Sequence, residues 1–364
     1  MRIVQVISRY NVGGTAKWLK ILIDGLVEQG HEVFLIIGEV NSGEKEERNL
    51  PNCKLIRIEG LGKGVSIFST WKAFWTLRST LLDLDPEIVN SHTSKAGVLT
   101  RSLRIFRSCR KMNFVHTYHG HLLYGYFPTY IVNMIIFVER ILSGKNFGLI
   151  SAGQQVKSEL LARNVGEDAS FKVIPIGVSN LDFLNRAASR KKFGIGQKDF
   201  VVGWLGRLAP IKRPDLLLQI ATKLPDTLFL VGGDGELMEE MLSAKLPNVQ
   251  LLGWVSPEDF WPACDLALLT SDNEAMPISL VEAGQCELPV IASKVGSIED
   301  LISDSKTGYL CSNLEEFIQR IELLKSEPKL RAQLAKKFNQ EIISKYSSER
   351  FLKDHISFYK SFIH

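Results

Sequence analysis

The sequence predicts an α/β chain of two similar domains in tandem, and three observations carry that reading. An apolar run, a glycine turn, an amphipathic run and a second apolar run open the chain, which is the pattern of a strand, loop, helix and strand. The same succession restarts at Phe200. Short apolar runs then alternate with helix-length segments throughout, the order that builds parallel sheets. At 364 residues there is enough chain for two cores of ordinary size. The expected domains are 1–180 with a terminal helix at 347–364, and 181–346.

In the first domain Arg2–Ser8 is a strand, followed by YNVGGT at 10–15. Ala16–Gln29 has Trp18, Leu19, Leu22, Ile23, Leu26 and Val27 at helical spacing, Gly30 ends it, and His31–Ile37 is the next strand. The Gly13-Gly14 pair lets the backbone approach a bound group at a strand's carboxyl end. Lys54–Ile58 and Glu87–Ser91 are further strands, and between them the helix Ser66–Leu84 has Trp71, Phe74, Trp75 and Leu77 placed as core. VNSHTSKAG, 89–97, closes a strand with His92, Ser94 and Lys95 and opens a helix. Arg101, Arg104 and Arg107 recur every three residues, with Arg110 and Lys111 next. They read as one helical face, either solvated or apposed to anionic lipid headgroups or a phosphorylated acceptor.

Asn113–Tyr118 is a strand running into His119-Gly120-His121. In a parallel sheet His92 and His119 share one rim, where ligands bind. Zinc is the rival use of these histidines, but no acid or cysteine stands at metal spacing, so no metal site is expected. Tyr130–Leu142 is the most apolar stretch, yet it is short and interrupted by Asn133, Glu139 and Arg140. It reads as a core helix, with contact at a membrane surface as the alternative. Phe147–Ser151 and Phe171–Ile176 complete the half, residues 174–183 form a Pro/Gly-marked exit, and the basic run Lys191–Lys198 reads as an inter-domain surface.

The second half runs as strand Phe200–Leu205, loop Gly206-Arg207, helix Pro214–Leu224, strand Leu228–Val231 and the turn at 232–236. Helix Leu237–Leu246, strand Val249–Leu252, loop Gly253–Pro257 and strands Leu266–Leu269 and Pro289–Ala292 follow. Glu315–Lys325 and Lys329–Lys345 are amphipathic helices. In the last run Phe351, Leu352, Ile356, Tyr359 and Phe362 make an apolar stripe that needs a partner.

Ser271–Ser293 holds the most specific chemistry. Pro277 suits the first turn of a helix, leaving the N–H groups of Met276, Ile278 and Ser279 as a seat for an anion. Glu274 in the incoming loop and Glu282 on the helix suit sugar hydroxyls, since a carboxylate accepts two O–H donors from a diol. Phosphate in the middle and polyols at both ends describe a nucleotide sugar. Arg207 and Lys212, on the loop GRLAPIKRP, supply cations for the diphosphate, which would stabilise charge on a leaving phosphate without a metal.

Composition excludes several classes. Hydrophobic residues at 45% and charged ones at 23% are globular, and a net charge of +4 gives no nucleic-acid footprint. Five scattered cysteines without a C-x-x-C pair indicate free thiols in a reducing cytosol. The opening MRIVQVIS runs straight into a strand pattern, so no secretion is expected.

GRLAPIKRPDLLL, VGGDGEL, NEAMPISLVEA and PVIASKVGSIEDLI resemble the signature of the GT4-type retaining glycosyltransferases. VGGT, VNSHTSKAG and HTYHGHLLYGYF are similar to bacterial members acting in surface-polysaccharide assembly. The resemblance implies the GT-B fold, two Rossmann-like domains facing a cleft with the terminal helix crossing back to the first. It implies a cytoplasmic hexosyltransferase with no cofactor, a UDP-hexose as donor, a lipid-linked or glycan acceptor and peripheral contact with the inner membrane surface. Glu282 would hold the ribose diol, Glu274 a hexose hydroxyl, and Arg207 with Lys212 the diphosphate. Gly13 and Gly14 would close on the phosphates, with Gly233, Val255, Met276, Ile278, Ser279 and Leu280 completing the donor side. His119 would contact the donor sugar; His92, Ser94, Lys95 and Tyr118 would face the acceptor. Ala275-Met276 and Cys286-Glu287 depart from the commoner Gly-Phe and Ala-Gly. Retention in the mechanism favoured for this family needs no protein nucleophile, so the glutamates are not a glycosidase pair. An NAD-linked oxidoreductase lacks its G-x-G-x-x-G and following acid here, while a non-catalytic nucleotide-sugar binder stays open.

Overall fold

Runs rich in Val, Ile and Leu supply the strands of two parallel sheets in the computed structural model, which describes residues 1–40, 45–62, 66–120, 128–144 and 147–363. Among these residues the first sheet comprises β1 (Arg2–Ile7), β2 (Glu32–Ile37), β3 (Lys54–Arg57), β4 (Ile88–His92), β5 (Asn113–Tyr118), β6 (Gly148–Ser151) and β7 (Phe171–Val173). Its order is β3-β2-β1-β4-β5-β6-β7. The second comprises β8 (Val201–Leu205), β9 (Leu228–Gly232), β10 (Val249–Leu251), β11 (Leu266–Leu269), β12 (Val290–Ser293) and β13 (Tyr309–Cys311), in the order β10-β9-β8-β11-β12-β13. The sequence reading missed β13, whose three residues are too few to show a period. In each sheet the chain winds one way and then the other, so β1 and β4, and β8 and β11, flank a point where strand order reverses. Ligands of such sheets bind at that point, outside the carboxyl ends of the strands.

Met1–Gly177 with Ser348–His364 forms one unit and Val178–Ser347 the other. The helix Ser348–Lys360 joins the first unit because its apolar stripe lies on the helix Gly14–Glu28. Phe351 meets Trp18 edge-on at 5.0 Å, and Leu352 approaches so closely that a Cβ on Gly25 would lie 2.9 Å from it. In the second unit the helix Pro328–Lys345 supports Ile278–Gln285. Phe338 and Ile342 fill the space left by Gly284, and Asn339 Nδ2 donates to the Gly284 carbonyl at 2.8 Å.

The structure corrects several expectations for surface and core. The helix Ser94–Ser102 ends before Arg104, so the three arginines do not share a helical face. Arg101 is buried and clamps both carboxylate oxygens of Glu139 at 2.9 and 2.8 Å, while Tyr118 Oη donates to Glu139 at 2.6 Å. Burial opposes the Arg101 charge, but Tyr118 and Glu139 outweigh it and hold the guanidinium above its ordinary pKa. Arg104 instead lies over the Phe147 ring, 5.6 Å from its centroid.

The helix Ile67–Leu84 packs through Ala73, Leu77 and Leu81, leaving Trp71 and Trp75 exposed rather than in the core. Thr129–Leu142 likewise buries only Val132, Ile136 and Glu139. Among the described residues no helix is long and apolar enough to cross a membrane. Just before the basic run Lys191–Lys198, whose lysines are exposed, Arg190 is buried on Asp265 at 2.8 Å. None of the five cysteines is in a disulfide.

Glu139→Ala leaves the Arg101 charge buried without its partner, and removing one member of such a pair costs about 3–5 kcal/mol. Urea unfolding followed by far-UV circular dichroism is expected to show an early transition in this variant; an unchanged curve would contradict the role given to the pair.

Candidate functional site

In the second unit the loops at the carboxyl ends of β8, β9, β10 and β11 are fastened backbone to backbone. Gly206 N–H donates to Gly232 O at 3.0 Å, and Gly233 N–H to Gly253 O at 2.7 Å. Gly233 has φ +130, and a Cβ there would lie 1.8 Å from the Gly206 oxygen, so only glycine fits between these loops. Val255 packs at the same edge, where a Cβ on Gly232 would meet it at 2.6 Å. Arg207 is exposed on this rim, and its guanidinium has no ion pair or hydrogen bond among the described residues.

Lys212 and Glu274 form a direct ion pair between the β8 and β11 loops. Glu274 is buried, and its Oε1 also accepts the Ser271 hydroxyl at 2.7 Å. Its backbone is held too: Ser297 N–H donates to Glu274 O at 2.8 Å, and Gly296, with φ +55, comes so close that a Cβ would lie 1.9 Å from that oxygen. Below the pair, Trp204 Nε1 donates to Thr270 Oγ1 at 3.0 Å, and Thr270 in turn to Lys212 O at 2.9 Å. Arg213, with φ 51, forks onto Asp215 and Asp272, which raise its pKa. A cation and a carboxylate are thus presented together on a braced rim, with Arg207 beside them.

The helix Ile278–Gln285 starts one residue later than expected, with Pro277 as its extended N-cap residue at φ −77, ψ 105. Leu280 N–H turns back to Pro277 O at 3.1 Å, leaving Ile278 and Ser279 as the first-turn donors without intrahelical partners, preceded by Met276. Glu282 is buried on the same helix.

In the first unit, Gly14 starts the helix Gly14–Glu28 and Gly13 caps it at φ 157, with nothing within 4 Å of where its Cβ would be. His92 ends β4 and His119 follows β5, and their rings meet with His92 Nδ1 2.8 Å from His119 Nε2. His92 Nε2 lies 2.7 Å from Gln5 Oε1. Gln5 and Asn90 both donate to Tyr359 Oη of the terminal helix, at 3.3 and 2.8 Å. Trp18 stands edge-on to His92, His119 and His355, at 5.2, 4.7 and 4.9 Å between ring centres. Burial lowers His119 and His355 to about 3, and His92 and His116 well below their usual range, so all four rings are neutral near pH 7.

Lys95 Nζ donates to Gly60 O and Gly62 O at 2.8 and 2.7 Å, tying down the loop after β3, and Ser94 Oγ is buried with no hydrogen-bond partner among the described residues. Tyr118 is buried, and its hydroxyl donates to Glu139 and accepts from Arg101 inside the unit. His121, with the rest of 121–127, lies outside the described residues. Among the described residues no group of three His, Cys, Asp or Glu is placed to hold a metal.

Residues 12–180 match the family model described as Glycosyltransferase Family 4, and residues 185–341 that of Glycosyl transferases group 1. The chain is a GT4-type glycosyltransferase. An Escherichia coli relative, UDP-Gal:alpha-D-GlcNAc-diphosphoundecaprenol alpha-1,3-galactosyltransferase, is 26% identical over 72% of this chain and 73% of its own. The capsular polysaccharide biosynthesis glycosyltransferase CapM of Staphylococcus aureus is 23% identical over 94% of both. Sucrose-phosphate synthase from Thermosynechococcus elongatus shares the fold at a TM-score of 0.86 and 18% identity, covering 99% of each chain.

For this glycosyltransferase, sequence reasoning missed the support behind the histidines and behind Glu274. Gln5 had a signal, a lone amide inside the apolar strand RIVQVI. Tyr359 was hidden in an apolar stripe, and Gly296 in an unremarkable loop. The depressed histidines have a consequence for stability. The unfolded chain binds protons near pH 6.5, whereas His119 and His355 resist them down to about 3. The stability due to their neutral burial is therefore complete above that unfolded value and is lost as pH falls toward 3, by about 1.4 kcal/mol per pH unit for each ring. In His355→Phe the slope of unfolding free energy between those limits is expected to be shallower by that amount; an identical slope would mean that His355 titrates normally in the fold.

Proposed function

We propose that this glycosyltransferase moves a hexose from a UDP-sugar to a hydroxyl of a lipid-linked or glycan acceptor, retaining configuration, in the cytoplasm and in the service of polysaccharide or glycoconjugate synthesis. The observation that carries this reading is the Lys212–Glu274 pair beside exposed Arg207 and the open first turn of Ile278–Gln285. Two cations and two amides suit a diphosphate, and the carboxylates suit hydroxyls. Relatives lend support to the donor and acceptor classes. The E. coli protein is named for a UDP-sugar and a diphosphoundecaprenol acceptor. The Anabaena protein HepE, similar at a TM-score of 0.82 and 18% identity over 99% of this chain and 100% of its own, has been solved with UDP and with UDP-glucose.

The donor's anomeric C–O bond breaks with charge gathering on the departing phosphate oxygen. Arg207 and the Ile278 and Ser279 N–H groups stabilise that charge, with Lys212 turning from Glu274 to join them. The same oxygen takes the acceptor hydroxyl's proton as the new bond forms on the face the phosphate leaves. Glu274 orients a hexose hydroxyl and holds Lys212 through their ion pair; Glu282 takes the ribose. Gly13 and Gly14 contact phosphate, His119 the donor sugar, and His92, Ser94 and Lys95 form the acceptor side, with Tyr118 as a support behind them.

Arg207→Ala is expected to weaken UDP binding by about 1.5–3 kcal/mol. Glu274→Ala frees Lys212 for phosphate, so UDP affinity should hold while transfer falls about 100-fold. Full transfer by Glu274→Ala would refute its role. Calorimetric titration with UDP, GDP, ADP and NAD in metal-free buffer tests the base: selective UDP binding supports the reading, GDP or ADP would change the donor, and NAD alone would overturn it.

A further inference from the structure

Gln5 is the one amide in the apolar strand RIVQVI, and the transfer reaction proposed above gives it no role. It is wholly buried, where a polar side chain is tolerated only when its hydrogen bonds are met. Its two ends have different partners. Nε2 donates to Tyr359 Oη at 3.3 Å, and Oε1 faces His92 Nε2 at 2.7 Å. Tyr359 Oη also accepts from Asn90 Nδ2 at 2.8 Å, and Asn90 Oδ1 takes the Thr117 hydroxyl at 3.1 Å. The amide is thereby held with its nitrogen toward the terminal helix and its oxygen toward the histidine.

That orientation sets the proton positions of two rings in turn. A carboxamide oxygen only accepts, so the hydrogen between Gln5 and His92 belongs to His92 Nε2. Burial keeps His92 neutral near pH 7, and a neutral imidazole has a single N–H, which leaves its Nδ1 as an acceptor. His92 Nδ1 lies 2.8 Å from His119 Nε2, with the rings 33° from coplanar and their centroids 5.0 Å apart. The lone pair of one ring is thus aimed at the N–H of the other. With the hydrogen of His119 on Nδ1 instead, two lone pairs would face each other across that gap. His119 therefore carries its hydrogen on Nε2. The ring is half-buried at the end of β5, and its Nδ1 has no partner among the described residues.

We propose that Gln5, turned by Tyr359 and acting through His92, is a positioning residue that fixes His119 as the Nε2–H tautomer and so presents its Nδ1 as an acceptor for a sugar hydroxyl. The contact with the sugar rests on the reading of His119 given above; the tautomer does not. An acceptor at this point also discriminates: a hexose with a hydroxyl there is paired, whereas a deoxy analogue leaves Nδ1 unpaired.

The test is long-range proton–nitrogen correlation NMR of the full chain with isotope-labelled histidine nitrogens, which separates a protonated ring nitrogen from a bare one. The His119 signals are identified by their loss in His119→Asn. Wild type is expected to show Nε2 protonated and Nδ1 bare near pH 7. Gln5→Leu removes the acceptor that gives the line its direction, so the Nδ1–H tautomer should rise about tenfold or more. Tyr359→Phe leaves the amide nitrogen without its acceptor and should move the balance the same way. Far-UV circular dichroism and UDP binding like those of wild type would show both variants folded, and the wild-type spectrum needs no variant at all. Wild-type His119 protonated on Nδ1 would overturn the proposal, as would an unchanged tautomer balance in either folded variant. Adding UDP-glucose, but not UDP, is expected to shift Nδ1 in wild type. The expected tautomer with an Nδ1 that ignores UDP-glucose would uphold the Gln5 line and overturn the sugar contact of His119 instead.

Discussion

The reversal of strand order beside β1 and beside β8 is the constraint on which the rest of this structure depends. Every strand in both sheets is parallel, so every helix returns the chain to the same starting edge and every loop of interest leaves from the opposite one. His92 and His119 lie 27 residues apart and Lys212 and Glu274 62 apart, yet each pair meets because adjacent strands deliver them to one rim. At the reversal the neighbouring helices lie on opposite faces of the sheet. Glycines at 232, 233 and 296 let those loops pack against one another where a side chain would collide.

The two units place charge differently. In the second, Arg207 is exposed and Lys212 is balanced by Glu274, an arrangement ready to meet an anion without leaving a bare charge in its absence. In the first, four histidines are held neutral by burial, three of them around Trp18, and polar order comes from amides and hydroxyls: Gln5, Asn90 and Tyr359. A neutral imidazole pair can position a sugar hydroxyl but cannot compete with arginine for phosphate.

The terminal helix takes part in this arrangement rather than merely closing the chain. Tyr359 reaches the Gln5–His92–His119 line, and Phe351 and His355 pack against the same Trp18 that borders those histidines. The outer helices do the opposite. Ile67–Leu84 and Thr129–Leu142 satisfy the sheet with a few small or medium residues and leave their bulk outside.

The sequence by itself determined most of the secondary-structure order, both glycine loops and the spaced glutamates, because these rest on local periodicity and on motifs within a short stretch. Strands such as Asn113–Tyr118 and Leu266–Leu269 were legible to the residue. Only the tertiary structure decided which side of each helix finds a partner. A period of 3.6 marks an apolar stripe but not whether anything lies against it, so Trp71 and Phe137 read as core and are surface. It also decided that Arg101 and Tyr118 are interior partners of Glu139, since a charge run looks the same whether its counter-ion is water or a carboxylate 38 residues away. Long-range pairs of this kind exist only once the sheet has brought distant strands together, which is why no local pattern announces them.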